Sequence, residues 1–182
     1  MNIVPLSSLL PVKKNVQSKQ CLDHRIVQPG GVMLHFDDSS SDESGLEWFS
    51  DPTCAVSYNR LYDKDGTIAQ ITPTMEQAAY HAGVCRPSSS LFTYKYPNSF
   101  FYGLAISANN TEVVTPLQQA SLVEDIEAIF TFHQWSKNDL WRITGHSNEA
   151  WPRGRKVDPI GTHPNKPVMD PAVIRVEVGK LL

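Results

Sequence analysis

Short apolar runs alternate with long polar stretches along the chain, and the spacing of the apolar positions separates strands from helices. "GGVMLHFDD" (Gly30–Asp38) opens on a turn signal, runs through consecutive apolar residues and ends in acidic ones. It predicts a buried strand with His35 at its C-terminal end. "FFYGLAISAN", with Phe101 near its start, predicts a second buried strand, and "WRITGH" a last short strand ending at His146. "AVSYNRLYDKDGTIAQITP" (Ala55–Pro73) reads as a hairpin. Two β-rich runs flank Lys64-Asp65-Gly66, and Asp-Gly supplies the positive φ that a tight turn requires.

Helical spacing is clearest over Pro116–Trp135. Leu122, Ile126, Ile129, Phe130 and His133 fall on one stripe, so this long amphipathic helix packs on a sheet. Thr115 is the N-cap, Pro116 suits the first helical position, and Gln118 completes a capping box. A short amphipathic helix is expected around Leu46, Trp48 and Phe49, and a final one near Pro171–Val178. The order is strand, helix, hairpin, strand, long helix, strand. It predicts an α/β fold with a single mixed β-sheet flanked by helices. Residues 1–25 are polar and weakly patterned and read as an N-terminal arm or linker, leaving 26–182 as the domain. The Pro- and Ser-rich stretch Arg86–Asn98 reads as a surface insertion able to wall a groove.

With 182 residues, 41% of them hydrophobic, the chain can enclose one core. Trp48, Trp135, Tyr62 and Phe101 are expected in it. A net charge of -3 and a pI near 6.0 advertise no basic surface, so no nucleic-acid partner is expected. No apolar run is long enough to span a bilayer, and no membrane partner is expected. The N-terminal lysines follow the short apolar stretch instead of preceding it, so no signal peptide is read. The three cysteines show no C-x-x-C pairing, which fits a reducing compartment with one bridge still open; Cys54 and Cys85 read as buried free thiols. Asp37, Asp38, Asp42 and Glu43 read as a solvated acidic face or a cation-friendly loop, with no metal assigned there. A monomer is expected.

"TGHSNEAWPRGRKVDP" (Thr144–Pro159) buries little apolar surface, so packing does not account for its charged groups. His35 and His146 each end an apolar strand, and Asp158 follows His146 across a Gly/Pro loop that can fold back. Neighbouring strands would bring these groups together, and zinc takes His nitrogen and carboxylate oxygen. A strand-end histidine is more often a polar rim residue, and from spacing alone both readings stand. Lys156, near Arg153 and Arg155, is a solvated basic loop on the plain reading.

The set "VMLHFD", "VSYNRLYDKDGTI", "AAYHAG", "SFFYGLAIS", "TPLQQ" and "GHSNEAWPRGRKVDP" resembles the zinc-dependent N-acetylmuramoyl-L-alanine amidases of type 2. That family includes cell-wall recycling amidases, phage endolysins and animal peptidoglycan-recognition proteins. The resemblance runs from about Gly31 to Pro159, and its most specific part is the Gly-His and Arg-Lys-x-Asp-Pro pair. It implies one Zn2+ ion held by His35, His146 and Asp158, with Lys156 beside it and Tyr58 placed over the site. It puts His81 on the substrate groove, and Trp151, in the site loop, becomes a candidate for packing on a sugar or peptide.

Three departures stand out. The loop from His146 to Asp158 is longer than the usual form. Ala105 occupies the position where many bacterial members carry a catalytic glutamate, and Asn59 replaces a histidine common after the tyrosine. They shift the proton-transfer roles toward Tyr58 and Lys156. The implied activity is hydrolysis of the bond between N-acetylmuramic acid and L-alanine in peptidoglycan or a muropeptide. The Tyr58/Ala105 pattern leans toward a phage lysin made in the cytoplasm and acting on the wall after release; cytosolic recycling is the other setting. An inactive peptidoglycan-binding module is the alternative function, disfavoured because all the implied ligands are present.

Overall fold

The structure, a computed structural model, describes residues 14–15, 21–25, 29–39, 41–83, 85, 97–162 and 168–182. Most of the insertion expected to wall a groove, residues 86–96, lies outside them, as do most of the residues read as an arm.

The sheet is built on β3 (Gly31–Phe36), whose six residues are all buried. It is flanked in parallel by β7 (Phe101–Ile106) and β8 (Ile143–Gly145). β4 (Arg60–Tyr62) runs parallel to β7 and antiparallel to β5 (Ile68–Gln70), the hairpin expected from Asp-Gly. Gly66 takes the turn at φ 81°. The two-residue β1 (Lys14–Asn15) adds to β5, giving the mixed order β1-β5-β4-β7-β3-β8. A separate ribbon pairs β2 (Cys21–Arg25) with β6 (Gln77–Ala79), so two strands lie within the segment read as an arm. Strands covered on both faces read as continuous apolar runs, which is why β3 and β7 stood out in the sequence.

Alternation along β3 decides what each face does. Val32, Leu34 and Phe36 join Leu104, Ile106 and Ile143 in the main core, against Leu122, Ile126, Ile129 and Phe130 of α2 (Pro116–Phe132) and Ile174 and Val178 of α4 (Pro171–Leu181). Met33 and His35 therefore point to the opposite face, where Met33 packs with Ala82 and Phe101. The predicted capping box is present: the Thr115 hydroxyl accepts from Gln118 N–H and the Gln118 side chain accepts from Thr115 N–H. Gln118 Nε2 also donates to the carbonyls of Tyr62 and Ser107, fixing the helix start to the ends of β4 and β7. A buried ion pair ties the middle of α2 to the sheet. Arg60 Nη1 donates to Asp125 Oδ2 at 2.6 Å, and Tyr62 O–H donates to the same oxygen at 2.8 Å.

Several expectations need correction. α2 ends at Phe132, short of Trp135, because Gln134 turns left-handed at φ 57° and Trp135 N–H returns to the Phe130 carbonyl. α4 continues beyond Val178 to Leu181. "WRITGH" is strand only over Ile143–Gly145: Trp141 and Arg142 close the 3₁₀ turn Lys137–Arg142, and His146 opens α3 (His146–Glu149). In α1 (Asp42–Ser50) Phe49 is buried but Trp48 is 46% exposed, since adjacent helical residues cannot share one face. Asp37 is not a solvated carboxylate. It accepts from the Ser39 and Ala108 N–H groups and from the Ser39 hydroxyl. Cys54 is buried and Cys85 half-buried, and neither forms a disulfide.

Candidate metal centre

The pairing of β3 with β8 sets Leu34 opposite Gly145, so the next residues, His35 and His146, leave the sheet side by side. Their ring centroids are 4.8 Å apart. Asp158 arrives across the long loop and is locked there by two contacts. A Cβ at Gly145 would stand 2.6 Å from Pro159 Cδ, so only glycine lets the Asp158-Pro159 pair dock against β8. Ser147 N–H then donates to the Asp158 carbonyl at 2.6 Å. The result places Asp158 Oδ2 2.8 Å from His35 Nδ1 and 3.1 Å from His146 Nδ1. One donor atom from each of the three residues lies within 4.8 Å of the others, and all three are buried.

The outer hydrogen bonds of these rings fix their protons. His81 Nε2 faces the Phe101 carbonyl at 3.1 Å, and a carbonyl only accepts, so His81 carries its proton there. Burial first, then His35 and His146, hold the His81 pKa well below 6.5, so its Nδ1 is a bare acceptor. His35 Nε2, 3.1 Å from that Nδ1, must donate to it. Burial likewise lowers the His35 pKa to about 4, against the opposing hydrogen bond to Asp158. Neutral His35 therefore aims an unprotonated Nδ1 at Asp158. His146 Nε2 donates to the Ala82 carbonyl at 2.7 Å, which leaves its neutral form an unprotonated Nδ1 as well.

With both rings in their neutral forms and each Nε2 proton committed outward, two nitrogen lone pairs converge on one carboxylate oxygen. Such a cluster calls for a cation. The donor set is the nitrogen and oxygen set of zinc, and separations of 2.8 and 3.1 Å approach the edge of roughly 3.3 Å in a tetrahedron with bonds of about 2.0 Å. The residues fit one such ion. Among the described residues no other group of three His, Cys, Asp or Glu offers this convergence.

Tyr58 stacks obliquely on His35 with 4.9 Å between centroids. Its burial, then the Asp158 charge, push the hydroxyl well above 10, so it remains a phenol. Ala105 pairs with His35 across β3 and β7 and shares a buried cluster with Tyr58, Phe49 and Leu61. Asn59 is fully buried and structural: it donates to the Met75 and Gln77 carbonyls and accepts from Gly103 N–H. A cleft of about 240 Å³ reaches the centre through His81 and His146 and is bordered by Val56, Tyr80 and the exposed Lys156. Trp151, 47% exposed, is not part of that lining; its carbonyl accepts from Arg155 Nε.

The sequence profile of N-acetylmuramoyl-L-alanine amidases matches residues 26–161. The chain belongs to this amidase family. No curated protein matches it in sequence. Among solved structures, a selenomethionine derivative of AmpD is similar, with 22% identity and a TM-score of 0.66 over 96% of this chain and 99% of that one. A mutant endolysin from Bacillus subtilis is similar at 15% identity and a TM-score of 0.59, over 93% of this chain and 100% of that one. The E. coli amidase AmiD, bound to the substrate anhydro-N-acetylmuramic acid-L-Ala-D-gamma-Glu-L-Lys, has 19% identity and a TM-score of 0.60 over 83% and 58%. At these identities the likeness is one of fold.

All three amidase ligands implied by the motifs meet in space, and Lys156 and Tyr58 stand around them. Sequence reasoning missed the Ala82 carbonyl, because a backbone acceptor leaves no residue-type signal. It also missed Gly103, where a Cβ would lie 2.6 Å from the His81 ring. The glycine inside an otherwise apolar strand was the available clue to a close approach.

Proposed function

We propose that this amidase hydrolyses the bond between the lactyl group of N-acetylmuramic acid and L-alanine, using one zinc ion held by His35, His146 and Asp158. The observation that carries the reading is the meeting of the two imidazole Nδ1 atoms with Asp158 Oδ2 at 2.8 and 3.1 Å. Three protein ligands leave a coordination position open, which is the catalytic rather than the structural arrangement. When bound, zinc supplies Lewis acidity toward a carbonyl oxygen and toward water, whose pKa it lowers to about 7.

The chain's own groups handle charge and protons. Lys156 brings a compact cation to the cleft margin, where it stabilises negative charge growing on the amide oxygen. Tyr58, held as a phenol beside His35, donates its O–H to orient the carbonyl or to protonate the departing nitrogen. Ala105 offers no carboxylate, so neither role falls to a glutamate at that position. The substrate is a muropeptide stem of the kind bound to AmiD. Trp151 gives it an exposed aromatic platform on the site loop. The setting we favour is the phage type, acting on intact wall after release from the cytoplasm, in keeping with the endolysin relatives and with Tyr58 and Ala105.

The test is release of L-alanine N-termini from purified wall and from soluble muropeptides, with and without a zinc chelator. Release that stops on chelation and returns with zinc supports the reading. Binding without release makes the chain a peptidoglycan-binding module, and activity unaffected by complete zinc removal ends the metal assignment. Faster turnover of soluble fragments than of wall points to recycling instead of lysis.

A further inference from the structure

Asn98 touches neither histidine ligand, yet both depend on what it holds. Its Oδ1 accepts from His81 N–H at 3.2 Å and from Ala82 N–H at 2.7 Å. Those two residues supply the outer partner of each imidazole: the His81 ring takes the His35 Nε2 proton, and the Ala82 carbonyl takes that of His146. We propose that Asn98 and the His81–Ala82 dipeptide form one clamp that fixes the tautomers of both histidines and thereby sets the affinity of the centre for its ion. The proposal rests on the zinc reading above.

The geometry supports a clamp over ordinary packing. A histidine that binds zinc through Nδ1 must present that atom without its proton, and a ring free to exchange tautomers does so only part of the time. Here each Nε2–H has a fixed acceptor, and both acceptors sit on adjacent residues. Fixing the N–H groups of two successive residues fixes the backbone on either side of His81. The direction of the His81 ring and of the Ala82 carbonyl then follows. The ring is backed on its far side by the Phe101 carbonyl and by the space over Gly103. Asn98 sits in the 3₁₀ turn Pro97–Ser99 that leads into β7, so the clamp is anchored to the strand beside the one carrying His35.

The test measures zinc dissociation constants on the metal-free full chain by competition with a chromophoric chelator. Asn98→Ala is expected to weaken zinc binding roughly 10–100-fold, the range found for outer-shell partners. Asn98→Asp keeps an oxygen for both N–H groups and should stay close to wild type. His81→Phe should match Asn98→Ala, while His81→Asn, whose side-chain oxygen can stand where Nδ1 stood, should recover much of the loss. Nitrogen-15 NMR of the ring nitrogens in metal-free wild type should find the proton on Nε2 in both His35 and His146. Folded Asn98→Ala and His81→Phe proteins that bind zinc as tightly as wild type overturn the clamp. So does an Nδ1–H tautomer of either ligand in wild type, a result that needs no variant to fold. A wild type that fails to bind zinc removes the metal reading itself, and is distinguishable from both.

Discussion

Replacing Asp158 by asparagine separates the two contributions this residue makes. Asparagine has the same shape but exchanges one carboxylate oxygen for an NH2 group. In the metal-free wild type with both rings neutral, Asp158 Oδ2 confronts two nitrogen lone pairs, at 2.8 Å from His35 Nδ1 and 3.1 Å from His146 Nδ1. In Asp158→Asn, the two amide hydrogens can donate to those same nitrogens. Each net hydrogen bond is worth roughly 0.5–1.5 kcal/mol, so the metal-free variant should be as stable as wild type or more stable, by up to about 3 kcal/mol. Zinc reverses the ranking. At a thousandfold excess over its dissociation constant, an ion that binds only the folded state stabilises by about 4.1 kcal/mol, and the variant should forfeit nearly all of it. Urea unfolding of both proteins, with EDTA and with excess zinc, reads the two effects independently. A variant clearly less stable than wild type in EDTA would show that a proton already bridges the cluster, and the lone-pair argument would fail. Equal zinc stabilisation of both proteins would show that Asp158 is not a ligand.

Lys156→Ala should lower kcat with unchanged melting, since the side chain is exposed; losing one oxyanion contact costs roughly 2.7–4 kcal/mol of transition-state stabilisation, read in steady-state kinetics on a soluble muropeptide. Asp125→Ala strands the Arg60 guanidinium in the core and should cost about 3–5 kcal/mol in urea, whereas the double change Arg60→Met with Asp125→Leu should recover most of it. Acid should destabilise the metal-free protein. Burial lowers the His35 pKa from 6.5 to about 4, so the unfolded chain binds a proton in that window while the folded one does not. Stability is intact above pH 6.5 and falls on acidification toward pH 4, by roughly 3 kcal/mol in total. A His35→Gln protein should lack that share of the slope, and matching slopes for the two proteins in urea titrations would refute the assignment.

The candidate ligands were legible because chemistry and topology coincide. Two apolar runs that each end in histidine become parallel neighbours, and equivalent ends of parallel strands lie together. What the residues could not reveal was the register, one step of which would turn His35 toward the helices. The end of α2 was illegible for another reason: no glycine follows it, and Gln134 adopts the left-handed turn because Trp135 is drawn back onto Phe130 and His133, a tertiary effect. His81 looked like a groove residue from its motif. It does border the cleft, but its two nitrogens are committed to His35 and to the Phe101 carbonyl, and only the folded chain decides where a ring's nitrogens go.

The departures at Ala105 and Tyr58 read as one feature once the face of the sheet is known. Position 105 lies directly beside His35 in the ladder, on the side away from the helices, where a glutamate would extend toward the His35, His146 and Asp158 cluster. Alanine leaves that space, and Tyr58 is packed into the same cluster, against Phe49 at 5.4 Å and His35 at 4.9 Å. A carboxylate at 105 and a tyrosine at 58 would compete for one buried volume. With the phenol there, burial that would raise the pKa of a carboxyl base instead keeps a hydroxyl protonated. A group assisting the proposed reaction from this face would therefore act as a proton-bearing hydroxyl, which is the role proposed for Tyr58.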